Sequence, residues 1–329
     1  EVLDRLDGTS SSYTGNGMDF ALLREGGISE STVVEKLDVP YLVGSNVIDI
    51  TKTLTIKAGT EIVFKENGGL GVYDDGALSV NGTASEPVIM RGEESMAGYW
   101  RGIHMETSKS ANSLNYLQMS DAGSNYVYCC NDAASILFKN GQARMRNCTL
   151  TNGAGYGIVL RGSFSFSSFL ANTISGHAKN PVKLDVSNLS DFDGSDSNLS
   201  GNGSNFIEIA GVRRVEEATT INKANIPYLI PEDQVIDITA PLTIRAGARL
   251  AFSANSGLGV YDAGELNISG ASSDKVGLYG LQETPGFWRG IHLEGVAHTI
   301  QHAEIQHAAS NYVYCCNDKA AVYLRDGTL

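Results

Sequence analysis

The chain has 329 residues, 42% of them hydrophobic, with 37 glycines. Its formal net charge of -13 leaves no basic footprint for nucleic acid or for docking on an anionic membrane. No apolar run approaches the roughly 18 residues of a spanning helix, so membrane insertion is not expected.

Residues 1–38 read as the tail of a preceding repeat. Asp7-Gly8 followed by Gly15-Asn16-Gly17 anticipates Asp193-Gly194 followed by Gly201-Asn202-Gly203. Residues 39–225 then form one complete unit, and residues 226–329 a partial second one. The two open with Pro40-Tyr41-Leu42 and Pro227-Tyr228-Leu229. Three blocks carry the repeat most clearly. Gly69-Leu70-Gly71-Val72-Tyr73-Asp74 returns as Gly257 to Asp262, and Trp100-Arg101-Gly102-Ile103-His104 as Trp288 to His292. Ser124-Asn125-Tyr126-Val127-Tyr128-Cys129-Cys130-Asn131-Asp132 returns as Ser310 to Asp318. The period is about 187 residues, and self-similarity on this scale governs every other reading. The chain enters and leaves this period out of phase, so its ends are expected to stack on further repeats or on further copies of itself.

Within each unit runs a finer beat. Leu54-Thr-Ile56, Ile62-Val-Phe64, Leu70-Gly-Val72 and Leu78-Ser-Val80 are apolar triplets eight residues apart, answered by Leu242, Leu250, Leu258 and Leu266 in the second unit. The outer residues of each triplet share one face of a strand. Asn67-Gly68, Asp75-Gly76 and Asn81-Gly82 between them suit corners with positive φ. Later triplets extend the pattern at Val88, Ile103, Tyr126, Ile136, Ile158 and Val182. Three short strands per coil of about 24 residues predict an all-β, right-handed parallel β-helix of about 14 coils, roughly 65 Å long at the usual strand spacing. A propeller would need antiparallel blades, and a sandwich would not hold the eight-residue beat.

The run Ala58-Gly59-Thr60, Phe64, Gly69-Leu70, Gly76-Ala77-Leu78, Gly82-Thr83, Pro87-Val88 and Trp100-Arg101-Gly102-Ile103 resembles the right-handed β-helix repeats of bacterial cell-surface and secreted proteins, many of them adhesin-like. That resemblance implies a pectin-lyase-like architecture. The architecture alone does not fix a function, because it hosts lyases, hydrolases, adhesins and spacers.

Trp100-Arg101-Gly102-Ile103-His104 could supply a base and an electrostatic stabiliser. It recurs once per unit, which favours a structural reading: Trp100, Ile103 and Met105 inward, Arg101 and His104 outward. No catalytic residue is assigned. Tyr73, Tyr126, Tyr128, Tyr312 and Tyr314 are candidate binding residues, exposed rings on which surface glycans would stack. Asp191, Asp193 and Asp196 flank Gly194 in a loop that reads first as solvated surface and would also admit calcium. His298 and His302 would share a strand face, with His307 nearby.

Cys129, Cys130, Cys148, Cys315 and Cys316 are the disulfide candidates, an odd number. Two pairings stand open: a bond between the adjacent Cys129 and Cys130, repeated at Cys315 and Cys316, or one from Cys130 to Cys148. Either favours an extracellular or cell-surface location. The function expected is a structural or adhesive rod of repeated units, able to stack into a fibre. The alternative is a carbohydrate-active lyase or hydrolase, or a carbohydrate-binding module.

Overall fold

The computed structural model describes residues 6, 8–23, 26–109, 111–211, 213–295, 297–315 and 317–329. Among these, no helix is long and apolar enough to cross a membrane. The chain divides into two compact units, Glu1–Val182 with Ser197–Asn205, and Lys183–Asp196 with Phe206–Leu329. Each is a stack of short parallel strands wound as a right-handed β-helix.

In the first unit the eight-residue triplets become strands Thr53–Lys57, Glu61–Phe64, Gly69–Tyr73 and Ala77–Asn81. Each pairs in parallel with the strand one coil away, so like residues stack. One inward column runs Ile50, Val72, Met105, Phe138, Leu160. A second runs Ile56, Val80, Leu114, Met145, Phe169. A third runs Tyr41, Ile62, Met90, Met119, Leu150, Ile174. All of these side chains are buried, each worth about 1.5–3 kcal/mol of apolar burial. The three columns are the three faces of the coil, and their meeting is the core.

The second unit repeats the scheme. Val215, Ile238, Val260 and Leu293 form one column, and Ile221, Ile244, Ile268 and Ile300 another. Phe64 stacks on Trp100 with centroids 3.9 Å apart, and Phe252 on Trp288 at the same distance. Each indole Nε1 donates to a backbone carbonyl at 2.7 Å, Ser120 or Gln306. Gly102 and Gly290 follow one residue after the Arg of each motif, with φ of 109° and 108°. A Cβ at Gly102 would also sit 2.5 Å from the Ser135 carbonyl oxygen. Only glycine satisfies both constraints.

Coil length departs from the uniform 24 residues expected. Val47 pairs with Gly69, a step of 22, but Gly69 pairs with Gly102 and Ile103 with Ile136, steps of 33. The second unit alternates alike: Val235 to Gly257, then Gly257 to Gly290. The extra residues leave the coil as surface excursions. One of them contains Tyr126-Val127-Tyr128, expected as a strand and found as irregular loop between strands Leu117–Ser120 and Ala134–Arg146. Positive φ at Cys130 (76°) and Asn131 (53°) turns this backbone out of extended geometry.

Candidate functional site

The 22- and 33-residue steps bring distant residues into one outward-facing ladder. Asp49, Gly71, His104, Leu137 and Val159 occupy successive rungs between the inward columns. Tyr73, Glu106, Lys139 and Arg161 face the same way two residues on. Over this ladder folds the excursion that carries Tyr128.

Tyr128 is the cap. Its hydroxyl donates to Asp49 Oδ1. Its ring meets His104 edge-on at 5.3 Å and Tyr73 at 5.7 Å. Gly71 makes the room, since a Cβ there would collide with the Tyr128 ring. His104, though outward-facing, is therefore only 1% exposed. Its Nε2 lies 3.2 Å from Glu106 Oε2, while Glu106 Oε1 takes an ion pair from Lys139 at 2.8 Å. Nδ1 of His104 is buried without a hydrogen-bond partner among the described residues.

Electrostatics follow from this packing. Burial pulls the His104 imidazole below its ordinary range, against the opposing pull of Glu106. Burial works to raise the Glu106 carboxyl, but bonds from Lys139 and His104 outweigh it and leave it lowered. Burial and the Asp49 carboxylate together push the Tyr128 phenol up.

The second unit builds the same arrangement. Asp237, Gly259, His292 and Tyr323 are successive rungs. Tyr314 donates to Asp237 Oδ1 and packs edge-on against His292 at 5.4 Å and Tyr261 at 5.5 Å. Gly259 lies beneath it, where a Cβ would clash with the ring. Glu294 Oε1 accepts from His292 and from Arg325, each at 2.7 Å, and both bonds lower its carboxyl. Arg325 takes the role of Lys139, and Tyr323 adds a third ring beside His292 at 5.3 Å.

The ends of the first excursion are also fixed. Asp121 Oδ1 accepts from Asn152 Nδ2 at 2.6 Å, and Asp121 Oδ2 from Ser120 Oγ at 2.7 Å. Asp132 pairs with Arg161 at 2.6 Å. Within the excursion the sulfurs of the adjacent Cys129 and Cys130 are joined as a disulfide. Cys315 is also disulfide-bonded, and Cys316 lies outside the described residues. Cys148 is a buried free thiol, pushed up to about 12 chiefly by burial.

Tyr126, Tyr128, Tyr312 and Tyr314 keep 37–41% of their surface exposed, and Tyr73 is half-buried against Tyr128. Asp191, Asp193 and Asp196 are exposed on a loop, where Asp193 Oδ1 accepts from the Ser195 amide. His298, His302 and His307 do not share a strand face. His302 and His307 are corner residues with φ of 47° and 64°, matching Tyr116 (49°) and Asp121 (67°). His298 is buried and takes the place of Asn112: its Nδ1 accepts from Leu266 N–H as Asn112 Oδ1 accepts from Leu78 N–H.

Sequence reasoning left out Asp49, Glu106 and their counterparts Asp237 and Glu294. The signal was present. Val-Ile-Asp-Ile recurs at 47–50 and 235–238, and Ile-His-x-Glu at 103–106 and 291–294.

Residues 26–135 match the family model of the pectate-lyase like beta helix domain. No curated protein and no solved structure matches the chain significantly.

Proposed function

We propose that this chain is a non-catalytic β-helix rod, displayed outside the cell, that binds surface glycans through one tyrosine cap per repeat. The observation that carries the reading is the duplication of the cap: aspartate, glycine and histidine stand in the same register in both units, each histidine is bonded to the glutamate two residues on, and a loop tyrosine is bonded to each aspartate. The ionisable groups of each cap are tied to one another, so the imidazole has no open path to a substrate. What the caps offer outward is the ring surface of Tyr126 and Tyr128, and of Tyr312 and Tyr314. Aromatic faces with a polar tip suit the apolar faces of sugar rings. The charge of -13 favours uncharged glycans over polyanions. End-to-end association with further copies belongs to the same reading, since stacked coils expose strand edges at their ends.

Affinity electrophoresis through neutral polysaccharides tests this directly. The wild-type chain should be retarded, Tyr128→Ala less so, and Tyr128→Ala with Tyr314→Ala not at all, because two linked sites act together. Unchanged retardation of the double variant would sink the proposal. The domain match favours one other reading, a carbohydrate-active enzyme. Release of shortened sugar chains from pectate by the purified protein would establish that reading instead.

A further inference from the structure

Each cap also gathers groups of the metal-ligating kind. One ligand atom each from His104, Glu106 and Cys129 lie within 4.8 Å of one another. The same holds for His292, Glu294 and Cys315. Imidazole, carboxylate and thiolate are the donors of a tetrahedral zinc-class site, with metal bonds of about 2.0–2.3 Å. Those bond lengths place neighbouring ligand atoms roughly 3.3–3.7 Å apart. The His104–Glu106 contact, at 3.2 Å, already has nearly that spacing, so closure asks only that the sulfur move in by about 1 Å. A second observation points the same way. His104 is 1% exposed, its Nε2 faces Glu106, and its Nδ1 has no hydrogen-bond partner among the described residues. Nδ1 is thus left to carry the ring hydrogen, and Nε2, the nitrogen beside the carboxylate, can offer its lone pair to a cation.

In the oxidised chain the sulfur is not a ligand, because Cys129 shares its electrons with Cys130. We infer that each cap is a redox-gated binding site for a thiophilic divalent cation of the zinc class, closed by its disulfide and opened by reduction. Two equivalents of a small thiol give their hydrogens to the two sulfurs and leave as one disulfide. The freed thiol of Cys129 then loses its proton to solvent as its thiolate takes the cation with His104 and Glu106. Cys130, next in the chain, or a water fills the fourth position. In the second unit Cys315, His292 and Glu294 take the same roles.

Cobalt(II) uptake by the whole chain tests the inference, before and after thiol reduction and desalting. Reduced protein should bind two cobalt ions and develop the charge-transfer absorption of a thiolate ligand, and oxidised protein should bind neither. Cys129→Ser should halve the stoichiometry and the absorption. Glu106→Gln keeps the shape of the site and should weaken binding in the first unit at least tenfold, with the thermal melt reporting that the chain remains folded. The inference is overturned if reduced protein takes up no cobalt. It is equally overturned if oxidised protein binds as well as reduced, or if folded Glu106→Gln and Cys129→Ser bind as wild type does.

Discussion

Burial decides the protonation of His177. Its ring is 1% exposed, with Nδ1 3.3 Å from Asn202 Oδ1 and Nε2 2.9 Å from Ser135 Oγ. The Asn202 oxygen only accepts, so Nδ1 carries the hydrogen and Nε2 accepts from the serine. Desolvation pulls this histidine down to about 4, despite the Asn202 bond acting the other way. The sign follows from linkage. Between about pH 6.5 and about 4 the unfolded chain binds a proton that the folded chain refuses, so stability falls as pH falls through that window. Above about 6.5 both states are neutral and the contribution is fully present. The full loss is roughly 3 kcal/mol. Urea melts at pH 7 and pH 4.5 should show the wild type losing about 2–3 kcal/mol more than His177→Gln. Equal losses would remove His177 as the cause.

Corners govern the next scale up. Asn112 and His298 occupy equivalent turns and give the same acceptor to the strand one coil away. Exchange between them should therefore be mild, whereas removal should not. His298→Asn is expected to change stability by less than about 1 kcal/mol, and His298→Ala to cost about 1–3 kcal/mol by stranding the buried Leu266 N–H. Thermal melts of both variants distinguish this from simple loss of volume, in which the two would fall together. The contrast also marks what was legible in the sequence. Apolar triplets such as Leu54-Thr-Ile56 state their strand and their inward face outright, because side-chain alternation has period two. Tyr126-Val-Tyr128 carries the same alternation and yet is loop, and the positive φ just beyond it, at Cys130 and Asn131, is invisible to periodicity. His104 and Glu106 could be read as a repeated pair. Their meeting with Asp49 and Tyr128 could not, because the register depends on steps of 22 and 33 residues that only the excursions set.

At the scale of the whole molecule, coils that touch only their neighbours should come away singly. The cap alters that. Tyr128, reaching from its excursion to Asp49 across Gly71 and beside His104, ties three successive rungs of the first unit together. Peeled in an optical trap, that unit should release these rungs in a single rip, and Tyr128→Phe with Gly71→Ala should split it into smaller steps. Uniform single-coil steps in the wild type would show the tie to be mechanically idle. Where the rungs leave together, a pull on the unit is released in lengths fixed by the cap, with each tyrosine acting as a rip-stop in the weave.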